Sequence, residues 1–172
     1  INAPLGKYTV PALSKDTRFA KFLASSLPDS EIRNLVQEYV GYTLLHECEY
    51  HVAQLWVGAG QNGKSALAHI IGKLHAKLAS VPLDKLNGFE LESIVGASLV
   101  VCDEAPKNGI DENKFKTIVS GGVLQINPKN RQPFEYRSHA KWIVCANHIP
   151  TTKDNSEGWW RRFRVIGGDA KI

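Results

Sequence analysis

From residue 52 onward, short runs of consecutive apolar residues alternate with stretches in which apolar residues recur every three or four positions. The runs at 52–57, 98–102 and 141–146 are nearly continuous, as in strands covered on both faces; 79–83 and 163–166 are weaker candidates. Five strands separated by helical stretches predict an α/β fold, a mostly parallel sheet flanked by helices. Behind the first strand, Leu67, Ile70, Ile71, Leu74 and Leu78 form a helical stripe that can pack on the sheet. Later, Asp111 can cap a helix bearing Phe115, Ile118 and Val119, and Gly121-Gly122 can end it. A β-hairpin insertion follows: Leu124 and Ile126 alternate with polar residues on one arm, Phe134 and Tyr136 on the other. The Asn127-Pro128-Lys129-Asn130 stretch between them has turn chemistry.

The first third of the chain has a different texture. Residues 1–15 contain Pro4 and Pro11, show no periodicity, and read as an arm or linker. Residues 16–51 read as a small helical lead-in segment. Its first helix carries Phe19, Phe22, Leu23 and Leu27 and stops at Pro28. The second starts near Asp29 or Ser30, sets Ile32, Leu35, Val36 and Tyr39 on one face, and is expected to stop at Gly41. Residues 52–172 then form the core. The chain begins at Ile1 without a methionine anywhere, and the strand pattern runs out soon after Ile166, so a piece of a longer protein, truncated at its carboxyl end, is expected.

Composition narrows this only a little. With 172 residues and 43% apolar content the chain can bury one proper core. Its net charge of +4 is too mild to identify a nucleic-acid partner. Cys48, Cys102 and Cys145 are odd in number and widely spaced, which suits reduced core thiols and a cytoplasmic setting. No apolar run approaches the roughly 18 residues a membrane span needs, so no membrane partner is expected.

The chemistry begins at Gly58-Ala59-Gly60-Gln61-Asn62-Gly63-Lys64-Ser65, which fits G-x-x-x-x-G-K-[ST] between a predicted strand and a predicted helix. Glycines let backbone N–H groups cradle phosphates, and the N-terminus of the helix running on through Ala66 adds a favourable dipole. Lys64 can reach the β- and γ-phosphates, and Ser65 can offer its hydroxyl to Mg²⁺. About 40 residues on, Leu99-Val100-Val101-Cys102 ends in Asp103-Glu104. Asp103 can hold the Mg²⁺ shell, and Glu104 can take a proton from, or orient, the attacking water. Asn147 follows the 141–146 strand at its carboxyl end, the edge where such sheets bind ligands, and its amide can meet both γ-phosphate and water.

Trp159-Trp160-Arg161-Arg162-Phe163 sets two guanidiniums between aromatic anchors. Arg162, with Arg161 as second choice, is the candidate to neutralise charge on a transferred phosphoryl group, often from a neighbouring subunit. The hairpin carries Lys129, Arg131, Arg137 and Lys141 with only Glu135 against them, a projecting basic loop suited to a nucleic-acid backbone. Lys129, Asn130 and Arg131 at its tip are the candidate contacts. His46, Cys48 and His51 lack a fourth ligand at suitable spacing and are not read as a metal site.

The ordered set resembles the superfamily-three helicase domain of phage and plasmid primase-helicases, related to the poxvirus primase-helicase. It comprises the lead-in with Leu23, Pro28-Asp29, Tyr39 and Gly41-Tyr42; the loop through Ser65; Lys116 and Ser120-Gly121-Gly122; Lys129; Asn147-His148-x-Pro150; and Trp160-Arg161-Arg162-Phe163. The resemblance implies an AAA+-like P-loop NTPase fold and a homo-oligomeric ring, a hexamer in that family. It also implies ATP with Mg²⁺ as cofactors and ATP-driven 3′→5′ movement on single-stranded or forked DNA. Within it Lys64 and Ser65 contact phosphate and Mg²⁺, Asp103 and Glu104 are the acidic pair, Asn147 is the sensor, Lys129 touches DNA and Arg162 is the finger. It further implies replication of a phage, plasmid or integrated element, an upstream primase domain on the full-length chain, and a place in a bacterial or archaeal cytoplasm or with a virus. Two other readings stay open: a nucleotide-dependent DNA-binding assembly or initiator module without processive unwinding, and a P-loop phosphotransferase.

Overall fold

The computed structural model describes residues 16–86, 89–154 and 156–167; the predicted arm at 1–15 lies outside them. Five strands form one sheet: β1 (Ala53–Val57), β2 (Leu78–Ser80), β3 (Leu99–Cys102), β6 (Lys141–Ala146) and β7 (Phe163–Gly167). Their order is β2-β3-β6-β1-β7, and every pairing is parallel. The antiparallel hairpin of β4 (Val123–Ile126) and β5 (Phe134–Arg137) forms a separate two-stranded sheet, with Ile126 opposite Phe134 and Val123 opposite Arg137.

Alternate residues of the buried strands supply two hydrophobic layers. Leu99, Val101, Ile143, Cys145, Trp56 and Ile166 face α1 (Arg18–Ser26), α2 (Ser30–Thr43) and α3 (Lys64–Gly72). Ala53, Leu55, Val100, Trp142, Val144 and Phe163 face the 3₁₀ turn Glu90–Ile94, α4 (Glu112–Val119) and α5 (Glu157–Trp160). In that second layer Phe115 stacks on Phe163 at 5.2 Å and meets Trp142 and Trp159 edge-on. The two lead-in helices are therefore part of the layer over the sheet. Tyr39 of α2 donates its hydroxyl to the Trp142 carbonyl at 2.7 Å and accepts from the Trp142 amide at 3.1 Å, filling a backbone rung where β6 begins. Gln54 of β1, wholly buried, donates to the Leu35 carbonyl and accepts from the Trp56 indole.

Three expectations need correcting. Gly41 does not stop α2, which continues to Thr43; a side chain at 41 would meet nothing within 4 Å, so this glycine sits on an open helix face. The helix after the phosphate-type loop ends at Gly72, and tight turns at residues 73–75 follow. Leu78 then belongs to β2 and packs so closely on Gly72 that an added Cβ would stand 2.9 Å from its Cδ2, while Ile70 and Leu74 are exposed. The basic hairpin also shrinks. Lys141 is buried, donating to the carbonyls of Leu45 and His139, and Arg137 donates to the Gly121 carbonyl at 3.0 Å.

His75 lies buried between the hydroxyls of Thr43 and Ser98. Burial first, then the nearby Lys141 charge, lowers its pKa; His139, stacked on His46 at 3.9 Å, is lowered by burial and then by that neighbour. Each ring therefore takes up a proton less readily in the fold than in the unfolded chain, where the ordinary value is 6.5. Their contribution to stability is thus complete above that value and lost as the pH falls below it. The thermal midpoint is expected to drop between pH 7.5 and 5.5, with a shallower drop in His75→Asn; equal slopes in the two proteins would exclude His75 as a source.

Candidate functional site

Because the sheet is parallel, the carboxyl ends of β1, β3 and β6 lie on one edge, with β6 between the other two. Two backbone bonds register the exits: Gly58 N–H donates to the Ala146 carbonyl at 3.1 Å, and Ala105 N–H donates to the Cys145 carbonyl at 2.8 Å. The loop after β1, the acids after β3 and the amide after β6 thereby surround one cleft of about 340 Å³. Its lining is Gly60, Gln61, Asn62, Gly63, Lys64, Ser65, Ala66, Asp103, Glu104 and Asn147. Gly58 lies beneath as a buried member of the loop.

The loop's backbone is the reason glycine is needed there. Gly60 and Gly63 take φ of 84° and 77°, and Gln61 between them 49°. Gly63 is the N-cap of α3 and brings no side chain to its first amides, so the helix start keeps the donors and partial positive charge that attract an anion. Lys64 curls over the same loop, donating to the Gly58 carbonyl and to Asn62 Oδ1, each at 2.7 Å. Burial lowers its pKa. The Cys145 thiol is itself pushed up to about 12, by burial first and then by Asp103, and stays protonated beneath the cleft. Asp103, Glu104, Ser65 and Asn147 are exposed to the cleft side. The donor set of a hydroxyl and a carboxylate beside an anion-binding helix start fits a hard divalent cation held together with phosphate oxygens.

A second cleft of about 440 Å³ adjoins the first and shares Glu104 and Asn147 with it. Asp84, Lys85, Lys107 and His148 line it. The sequence reading named His148 only within Asn147-His148-x-Pro150 and missed the other three, which sit in loops with no motif around them.

The arginine pair and the hairpin tip do not join the cleft. The Arg162 carbonyl accepts from Ala53 N–H at 2.7 Å, at the start of β1, so both arginines lie at the opposite edge of the sheet. The five residues of β1 put roughly 15 Å between them and the loop. Arg161 is exposed. Arg162 is half-buried: it donates to the Gly158 carbonyl and, at 3.2 Å, to Ser120 Oγ, while its Nε is buried without a partner. The hairpin also stands at the end where the strands start, since Tyr136 OH accepts from Gly96 N–H just ahead of β3. Lys129, Asn130 and Arg131 are exposed at its tip, with Asn130 at φ 58°. Arg131 approaches Glu92, an acid from outside the hairpin, at 3.7 Å. Among the described residues no group of three His, Cys, Asp or Glu side chains could hold a metal ion, and no helix is long and apolar enough to cross a membrane.

Comparison with known proteins adds relatives to this geometry. The model of a family of unknown function, DUF5906, matches residues 56–162. "Putative helicase 184R" of Invertebrate iridescent virus 6 is 25% identical over 88% of this chain, and "Putative helicase L207/L206" of Acanthamoeba polyphaga mimivirus is 24% identical over 84%. The chain spans only 17% and 16% of those two proteins. The fold is shared with the NrS-1 C-terminal region, at TM-score 0.72, 21% identity, and coverage of 88% of this chain and 37% of that one. It is also shared with JCV helicase, at TM-score 0.65, 17% identity, and coverage of 87% and 44%.

The environments of the two arginines differ enough to be measured. Arg162→Ala removes two hydrogen bonds at a half-buried site and is expected to lower unfolding free energy by about 1–3 kcal/mol, whereas Arg161→Ala should stay within about 0.5 kcal/mol of the parent. Denaturant titration of the two variants decides this; equal losses would contradict the contrast.

Proposed function

The chain belongs to the DUF5906 family, and we propose that it is the ATP-hydrolysing motor domain of a superfamily-three DNA helicase whose active sites are shared between neighbouring subunits. One observation carries the reading. The phosphate-type loop, the acid pair and Asn147 converge on one cleft, while the arginines that should complete it stand at the other edge of the sheet. An arginine so placed lies far from its own subunit's cleft, which supports a role in a neighbour's. A self-contained phosphotransferase needs its cations around its own substrate, which this separation disfavours. The viral relatives carry helicase names, and the fold is shared with a helicase structure, which agrees with the reading.

In the proposed mechanism Lys64 and the loop amides from Gly60 to Ser65 hold the β- and γ-phosphates of ATP, with Ala66 continuing the helix behind them. Ser65 and Asp103 would hold Mg²⁺, which supplies charge neutralisation at the phosphate oxygens. Glu104 takes a proton from the attacking water, and Asn147 orients that water against the γ-phosphate. Lys64 must leave Gly58 and Asn62 to do its part, exchanging two hydrogen bonds for contacts with the anion. From a neighbouring subunit, Arg162 or Arg161 neutralises the transferred group. Arg161 is the more accessible here, whereas Arg162 must first exchange its bonds to Ser120 and Gly158. Lys129, with Asn130 and Arg131, grips the DNA backbone, and the subunits form a homo-oligomeric ring, six in number on the family resemblance. Residues 52–172 would act as the motor core with 16–51 as its lead-in, within a longer replication protein of a virus, phage, plasmid or integrated element that carries a primase domain upstream.

ATP hydrolysis per subunit is expected to rise with protein concentration and with single-stranded DNA. Glu104→Gln and an arginine-pair variant, each inactive alone, should recover part of the activity when mixed. Lys129→Ala should lose DNA stimulation while keeping basal turnover. Turnover independent of concentration, without recovery in the mixture, would instead favour a self-contained phosphotransferase; nucleotide-dependent assembly on DNA without turnover would favour an assembly or initiator module.

A further inference from the structure

We propose that Lys116 and Asp154 are positioning residues for the arginine turn, clasping the segment that carries Arg161 and Arg162 against α4. The inference rests on the shared-site reading above and identifies what holds its trans-acting group in place.

Three side chains four residues apart, Glu112, Lys116 and Ser120, lie on one stripe along α4 and its C-cap. Each holds a different point of the chain between 152 and 162. Glu112 accepts from the Thr152 hydroxyl and from the Lys153 amide, the latter at 2.6 Å. Lys116 Nζ meets Asp154 Oδ2 at 2.7 Å, with both side chains about four-fifths covered. Ser120 Oγ accepts from Arg162 Nη2 at 3.2 Å. Asp154 also organises its own surroundings: Oδ1 accepts from Ser156 N–H at 2.9 Å, and its amide donates to Thr152 Oγ1 at 3.0 Å.

This segment is the covalent path from Asn147, on the cleft edge, to the arginines on the other edge. The described part of it between residues 150 and 156 has no helix or strand of its own. Its course is set by one backbone bond, Thr151 N–H to the Lys107 carbonyl at 2.8 Å, and beyond that by side chains. The central ion pair joins positions 38 residues apart and is the one ion pair that ties the segment to a regular element among the described residues. An exposed ion pair would contribute little, but a covered, hydrogen-bonded one fixes geometry. A group acting across an interface loses effect steeply with displacement, so releasing the segment should reduce turnover without disturbing the nucleotide's own cleft.

The test uses the full chain with Lys116→Gln, Asp154→Asn and the reversed pair Lys116→Asp/Asp154→Lys, each first checked for native circular dichroism. Three quantities are read: kcat for ATP, affinity for a fluorescent ATP analogue, and hydrogen exchange of the amides from 151 to 162. Each single change should lower kcat about tenfold, leave analogue affinity within about twofold, and speed exchange in that segment; the reversed pair, which keeps the ion pair but loses the acceptor for Ser156 N–H, should restore part of both losses. Wild-type kcat and exchange in the singles, or analogue affinity lost in step with kcat, would overturn the clasp. Absence of turnover in the wild-type chain is the separate failure of the functional reading; exchange then decides whether the clasp exists, and unchanged exchange rejects it.

Discussion

The hydrogen-bonded ladders on the two sides of β6 are the constraint from which the rest follows. One side pairs with β1 from Gln54–Ile143 to Val57–Ala146, the other with β3 from Leu99–Lys141 to Cys102–Val144. With all three strands parallel, the loop, the acids and Asn147 must leave the sheet together. None of the three groups needs to find the others by side-chain packing; the ladder registers bring them to one edge, and the backbone bonds at Gly58 and Ala105 hold the exits. Continuous burial on both faces is what makes the ladder secure, since no rung of β6 is open to water.

That arrangement was largely legible from local pattern. Nearly continuous apolar runs mark β1, β3 and β6, with β6 matching its expected bounds, and each strand hands over to a chemically distinctive residue at its carboxyl end. The Asp111 cap and the hairpin arms were legible for the same reason, because caps and alternation are encoded within a few residues. What could not be read were choices made by partners far along the chain. Gly41 looked like a stop because local pattern cannot tell an open helix face from a terminus. Leu78 looked helical because its spacing from Leu74 suits a helix, although its packing on Gly72 places it in a strand. Lys141 looked like part of a basic surface, but the carbonyls of Leu45 and His139 enclose it.

The candidate site divides along the same line. Residues of the cleft are contiguous with strand ends, so motif and spacing identified them. The supports of the arginine turn lie on α4, with partners about 40 residues away; Lys116 and Ser120 belong to the ordered set, but no local pattern shows what they hold. The same helix runs through Gly121, at φ 65°, directly into the hairpin, and Arg137 on the returning arm bonds the Gly121 carbonyl. Thus α4 touches both outlying elements, the turn and the hairpin, while standing apart from the cleft. Contacts of this kind are conditional on the fold and invisible before it.

The position of β6 also has a consequence for how the chain reaches its native state. As residues emerge in order, β1 and β3 are made long before the strand that must separate them, and Tyr39 waits for a partner 103 residues downstream. Until residue 146 is available, the two earlier strands each hold an unsatisfied edge rich in Leu, Val and Trp. Non-local pairing of this sort is slow, and bare edges invite pairing with the wrong chain. The lead-in helices and α3, already able to form, can shield one face of those strands during synthesis, so early helices would serve the nascent chain as a temporary cover before they become a permanent layer.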